Sequence, residues 1–161
     1  MDNDIVLKSC FFTGHRIIAN EDKPQLRNKL KNVCMHLIEN EGVTRFISGG
    51  ALGFDTIAAE TVLDLKKRYP NISLHLYLPC TNQTARWRAS DVDKWNKIKT
   101  LADEYKYIVN MPYIAGCMQL RNKAMVNDAK FAVAYCTKSF GGTYSTIKYA
   151  QDKNRKIFLI K

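Results

Sequence analysis

Arg45-Phe46-Ile47-Ser48-Gly49-Gly50-Ala51-Leu52-Gly53-Phe54-Asp55 runs a short apolar strand into a glycine loop and out into a helix. The helix is marked by Ile57, Ala58, Thr61, Val62 and Leu65, which recur at helical spacing. Such a junction leaves several backbone N–H groups unpaired at the positive end of the helix dipole, a ready site for an anion. Two more junctions share this form. Thr13-Gly14-His15-Arg16 follows the apolar run Ser9 to Phe12, and Gly141-Gly142-Thr143 follows the strand-like Phe131 to Cys136. Three such loops in 161 residues are expected to converge on one anion, most simply a nucleotide phosphate.

Outward from these loops, strands and helices alternate. Leu26, Leu30, Val33, Cys34, Leu37 and Ile38 form a helical stripe that Glu41-Gly42 closes. Ile72 to Leu78 is a strand stopped by Pro79, and a long polar connection follows from Cys80 to Ser90. The next helix carries Trp95, Ile98, Leu101, Ala102 and Tyr105, and Lys106 to Asn110 forms a fourth strand. A helix from Met118 to Ala129 precedes the fifth strand, and Ile157 to Ile160 ends the chain as the sixth. This order predicts an α/β, Rossmann-like fold, a mostly parallel sheet with helices on both faces in three α/β/α layers. Ligands of such sheets bind beyond the carboxyl ends of the strands, where the three loops belong. No linker or repeat divides the chain, so residues 1–161 are expected to form a single domain.

Composition narrows the chemistry. Hydrophobic content of 46% with 25% charged residues is that of a globular protein rather than a disordered one. No apolar stretch approaches the ~20 residues that span a bilayer, and the acidic start Met1-Asp2-Asn3-Asp4 is unlike a secretory signal. A cytoplasmic protein without a membrane partner is the expectation. Five cysteines without a C-x-x-C pair, and the scattered His15, His36 and His75, offer no metal set and no expected structural disulfide. The net charge of +10 favours polyanions. Its Lys and Arg are spread along the helices, however, with runs such as Lys66-Lys67-Arg68 near helix ends, where they complement the dipole.

Candidate ligand-binding residues follow from the loops. Ser48, Gly49, Gly50, Ala51 and Gly53 allow close approach of a phosphate, and Asp55 is placed to cap the helix or accept a ribose hydroxyl. The loop is neither G-x-G-x-x-G nor a Walker loop, which disfavours an ATPase or a standard dinucleotide oxidoreductase. Gly14, His15 and Arg16 add a turn, an imidazole and a planar fork for phosphate. Gly141, Gly142 and Thr143 repeat the anion turn, with Thr143 as hydroxyl donor and helix cap. Arg121 and Asn122 open a helix and can reach back toward the ligand. Gln83 and Trp87 lie in the long connection, where Trp87 is suited to cover a purine. No catalytic set stands out; the acids nearest the loops are Asp55, Asp91 and Asp128.

Taken together, these pieces resemble the SLOG superfamily, and within it the YpsA-like branch. The matching residues are Phe12-Thr13-Gly14-His15-Arg16, Ser48 to Asp55 with Ala58-Ala59-Glu60, Pro79, Gln83, Trp87, Arg121-Asn122 with Met125-Val126 and Asp128, and Gly141-Gly142-Thr143 with Thr146, Tyr149 and Ala150. The resemblance implies a Rossmann-like domain that binds a nucleotide or nucleotide-derived ligand, with no further cofactor established. Through the more distant DprA it also brings single-stranded nucleic acid into view as a partner. Through the LOG-type phosphoribohydrolases it brings in hydrolysis of a nucleoside monophosphate or an N-glycosidic bond, and Arg121 falls where those enzymes carry a functional arginine. They follow their glycine loop with a pair of glutamates; here Gly142-Thr143 is followed by Tyr144, Ser145 and Thr146. Binding, with a homodimer within the expectation, is thus favoured over catalysis.

Overall fold

The computed structural model describes residues 1–161. In chain order the elements are α1 (Asn3–Leu7), β1 (Ser9–Gly14), α2 (Lys23–Glu41), β2 (Arg45–Ser48), α3 (Phe54–Leu65), β3 (Ser73–Leu78), α4 (Ala89–Leu101), β4 (Glu104–Tyr107), α5 (Cys117–Asn127), β5 (Phe131–Tyr135), α6 (Gly142–Asp152) and β6 (Lys156–Leu159), with a single 3₁₀ turn, Asn20–Asp22, before α2. All six strands are parallel, in the order β4-β3-β2-β1-β5-β6. The expected three-layer α/β/α, Rossmann-like fold is therefore present, and its sheet is wholly parallel.

Alternation along β1 shows how the two layers are built. Cys10 and Phe12 enter the larger core, with Leu30 and Leu37 of α2 and Ile57 and Val62 of α3. Phe11 enters the smaller one, with Met125 and Val126 of α5 and Ala150 of α6. Phe11, Phe12, Phe46 and Phe54 are all fully buried, each worth about 1.5–3 kcal/mol relative to an exposed ring. The strand order runs outward from β1 on one side and reverses at β5 on the other. A crevice opens at that reversal, beyond the carboxyl ends of β1 and β5.

Several boundaries differ from the sequence expectation. β1 continues through Thr13 and Gly14, which pair with Ala134 and Tyr135, so the first loop begins at His15. Tyr105 belongs to β4 rather than to the preceding helix, and β4 starts earlier than expected, at Glu104. The carboxylate of Asp103 accepts the Leu74 N–H at 2.8 Å and meets Lys66 at 2.7 Å. Those bonds end the helical path and turn the chain onto the sheet edge. Helix α1 was not legible from periodicity in so short a segment; the Asp2 side chain caps it through the Asp4 N–H at 2.9 Å. No helix is long and apolar enough to cross a membrane.

Candidate functional site

A cavity of about 290 Å³ lies at the switch between β1 and β5. All three loops reach it. From the first come Gly14, His15 and Arg16; from the second, Ala51 and Asp55; from the third, Gly141, Gly142 and Thr143. Arg121 and Asn122 of α5 close the wall opposite. Ser48, Gly49, Gly50 and Gly53, expected at the ligand, do not line this cavity, and Gln83 and Trp87 line a separate cavity of about 460 Å³. Met118 borders both cavities.

The second loop is largely satisfied by its own residues. The Gly50 N–H donates to Ser48 Oγ at 3.3 Å, and the Ala51 N–H donates to Asp55 Oδ2 at 3.2 Å. Asp55 therefore does not cap α3, whose N-cap is Gly53 with no side-chain cap bond. The Gly49 carbonyl accepts from Arg121 Nη1 and from Gln83 Nε2. Beside Gly50, the Trp95 indole N–H and the Gln83 carbonyl oxygen are buried without partners. Its spacing marks Trp95 only as one of a helical stripe; the fold alone brings it to the loop.

The third loop is the open one. Gly141 is the N-cap of α6 at φ 94°, and no side chain caps the helix. Thr143 lies inside the first turn and does not cap it; its expected role passes to a glycine because the backbone there has positive φ. Nothing lies within 4 Å of a Cβ built on Gly141 or Gly142, and no side chain caps the first amides of α6.

Charge converges on this space. Arg16, Lys138 and Arg121 line the cavity, and Asp55 is its one carboxylate. Arg121 is only 4% exposed. Its Nε donates to Asn122 Oδ1 at 2.8 Å and its Nη1 to the carbonyls of Gly49 and Tyr77, whereas its Nη2 meets only the Met118 sulfur at 3.9 Å. A buried guanidinium thus keeps one edge without a strong acceptor. Burial pulls it below the ordinary arginine value and nearby Asp55 opposes that, leaving a cation. Burial also raises the Asp55 carboxyl, against the pull of Arg121, the Ala51 N–H and Arg16. Lys138 and Phe140, which precede the third glycine pair, were missed as lining residues; a cation and an aromatic just before Gly141 were the available signal.

His15 fastens the first loop to the third. Its Nε2 accepts the Thr137 N–H at 2.8 Å, and its ring packs edge-on against Tyr135 at 5.8 Å. Accepting at Nε2 requires the neutral ring to carry its proton on Nδ1. Burial, and then Lys138, hold the imidazole below the ordinary histidine range. A base with a lowered folded value stabilises the fold above its unfolded value and loses that contribution as pH falls through the folded one. The fastening is thus complete above about pH 6.5 and is lost on further acidification. The protection factor of the Thr137 amide, its exchange rate relative to that of an open chain at the same pH, should fall there. A protection factor that stays level while the His15 ring itself protonates, as followed by its NMR shifts, would refute it. The Thr137 readout separates His15 from His75, which burial and Arg45 also hold low.

The remaining acids do not reach the cavity. Asp128, the C-cap of α5, accepts from the Tyr77 hydroxyl and lies 3.8 Å from Lys106. The same Tyr77 hydroxyl takes a bond from Arg45 at 2.9 Å, which marks this as a strut under the sheet. Burial and the Asp128 bond push the Tyr77 phenol up to about 12. Asp91 stands in the first turn of α4, outside the cavity lining.

The chain belongs to the YspA SLOG family, whose profile matches residues 11–161. Among its relatives, a UPF0398 protein of Brevibacillus brevis is 35% identical over 125 residues, covering 73% of this chain and 65% of that one. The uncharacterized SPbeta prophage-derived protein YoqJ of Bacillus subtilis is 33% identical over 145 residues, covering 83% and 85%. The chain thus spans a little under two thirds of the Brevibacillus protein but most of YoqJ. Among solved structures, it is similar to DNA processing protein A from Helicobacter pylori, described in a single-stranded DNA binding mode, with TM-score 0.68 and 18% identity over 98% of this chain and 68% of that one. DprA from Streptococcus pneumoniae aligns with TM-score 0.68 and 15% identity, over 98% of this chain and 52% of that one. At those identities the likeness is one of fold.

Proposed function

We propose that this protein binds a nucleotide or nucleotide-derived anion, of the ADP-ribose, NAD or signalling-nucleotide type, and acts as a sensor or sequestering protein. One observation carries the proposal. The buried Arg121 guanidinium keeps one edge with no acceptor stronger than the Met118 sulfur, in the same cavity as the uncapped amides of α6. A phosphate there would receive amide N–H bonds, the dipole of an eleven-residue helix, and a charge-assisted bond from Arg121. Arg16 and Lys138 add charge at the mouth. Across Met118, Trp87 stands in the adjoining cavity, where a base can lie against it.

Calorimetry against ADP-ribose, NAD and cyclic nucleotides tests the proposal, and failure of every one to bind at millimolar concentration would sink it. Gly142→Asp separates binding from folding. Its Cβ enters open space, and an acid in the first turn of α6 suits the dipole, so stability should stay level or rise by about 0.3–1 kcal/mol. The same carboxylate repels a phosphate at those amides, and affinity should fall at least about tenfold, the equivalent of 1.4 kcal/mol. Equal affinity in wild type and variant would place the anion elsewhere.

A second reading, hydrolysis of a nucleoside monophosphate, is favoured by Asp55 alone. It is the cavity's single carboxyl, and burial raises its pKa toward that of a general acid. Intact substrate after prolonged incubation with the protein would remove that reading and leave the binding proposal standing.

A further inference from the structure

Met118 stands half-buried in the first turn of α5 and is common to the walls of three cavities. Two are those already described. The third, of about 280 Å³, is lined by Gln119 and Lys123 of α5 and by Ser145 and Tyr149 of α6. The Met118 sulfur also meets two guanidinium groups: Arg16 Nη2 lies 3.7 Å from it and Arg121 Nη2 3.9 Å. A thioether is a weak acceptor, and this one serves two cations at once. Burial works most against the Arg121 charge and Asp55 supports it, while Arg16 opposes it again. Two like charges are thus gathered around an atom that neutralises neither.

We infer that the Met118 sulfur holds the place of a ligand phosphate: an anion entering between Arg16 and Arg121 displaces it, and the displaced side chain opens the wall between the 290 Å³ and 460 Å³ cavities. The inference rests on the anion-binding reading of the site and extends it to the class of ligand, a nucleotide whose phosphate and base lie on opposite sides of Met118. A phosphate oxygen accepts charge-assisted bonds roughly twice as strong as neutral ones, so the exchange favours the anion. The side chain that leaves has somewhere to go. Methionine is unbranched and flexible, and the 280 Å³ cavity lies beside it. Beyond the opened wall stand Trp87 and Tyr113, two aromatic faces for a base. The first cavity alone is at the small end of the roughly 300–1,000 Å³ of ligand pockets, and joined to the second it falls well inside that range. Met118 is thus a specificity-determining residue: a small anion needs only the place of its sulfur, whereas a nucleotide also needs the opened wall.

The test follows methionine methyl and tryptophan indole NMR signals of the full chain during titration with inorganic phosphate and with ADP-ribose. The Met118 methyl carbon, whose shift follows the side-chain rotamer, should move with both, and that of Met35, packed against the core, with neither. The Trp87 indole N–H should move with ADP-ribose alone. Met118→Glu fixes a carboxylate between the two arginines, so calorimetric affinity for either ligand should fall at least about tenfold. Should that variant fail to fold, the wild-type titrations decide alone. ADP-ribose that binds while the Met118 methyl or the Trp87 indole stays unmoved, or that binds Met118→Glu as tightly as wild type, overturns the inference and leaves the binding proposal standing. If no nucleotide binds, that proposal falls, and phosphate decides the exchange: a moved Met118 methyl upholds it and an unmoved one overturns it.

Discussion

Replacing Arg121 with methionine is expected to lower folding stability by about 3–5 kcal/mol, the cost of removing one member of a buried charged set. For a domain of this size that is a fall of roughly 10 °C in Tm. Methionine preserves much of the side-chain volume, so the loss is electrostatic and not a cavity effect. Without the guanidinium, the Gly49 and Tyr77 carbonyls lose a donor and the buried Asp55 carboxyl loses its nearest balancing cation. Asp55 should then favour its protonated form still more. Its raised folded value makes the variant's deficit grow as pH rises and shrink as pH falls toward the unfolded carboxylate range. Adding Asp55→Asn should restore part of the lost stability, because the unpaired charge is gone. Urea unfolding of the two single variants and the double one measures this. An Arg121→Met protein within 1 kcal/mol of wild type, or a double variant weaker than the sum of the singles, would refute the account. Nucleotide affinity should fall as well, by roughly 10- to 100-fold for a lost charge-assisted bond of about 1.5–3 kcal/mol.

Gly53→Ala should be comparably damaging, for a reason unrelated to charge. Gly53 holds φ 76° and ψ −121°, a region that L side chains rarely enter. A Cβ there would stand 2.5 Å from the Arg16 carbonyl carbon and 2.6 Å from the His15 carbonyl oxygen. Both are backbone atoms, and the His15 carbonyl also accepts the Phe54 N–H at 3.0 Å as α3 begins. No rotamer change relieves the contact; the first loop must move off the helix start. Strain of about 1–3 kcal/mol and overpacking of about 1–3 kcal/mol together predict a loss near 2–6 kcal/mol. Gly142→Ala is the control, because its Cβ meets open space, and it should stay within about 0.5 kcal/mol of wild type. Equal unfolding midpoints for the two alanine variants would show that the close approach at Gly53 carries no weight.

Much of the fold was legible because its signals are local. The stripe Leu26, Leu30, Cys34 and Leu37 is one face of α2, and each of those residues is buried. The apolar run from Ser9 is buried because β1 is central, with neighbours on both edges and helices on both sides. Boundaries were less legible where a distant partner sets them. Tyr105 has a helical spacing from Ile98 and Leu101, but the bond from Leu74 to Asp103 directs its segment into β4. The site divides the same way. That the three glycine junctions would gather at one end follows from strand-to-helix order in a parallel sheet. Which of them stays open was not legible, since the acid that occupies the Ala51 amide stands in the first turn of α3, directly after the glycines that invite a phosphate.

By itself the sequence determined a parallel α/β sheet, the strand ends that carry the loops, and the excess of positive charge. The first two depend on residues within about one helical turn or one strand of each other, and the charge is a sum over the chain. Tertiary structure alone decided that Arg121 would meet Gly49 and that His15 would hold Thr137. Those pairs are chosen by the order in which strands lie side by side. Strand order is settled by the packing of whole elements, to which no short stretch of chain holds the key.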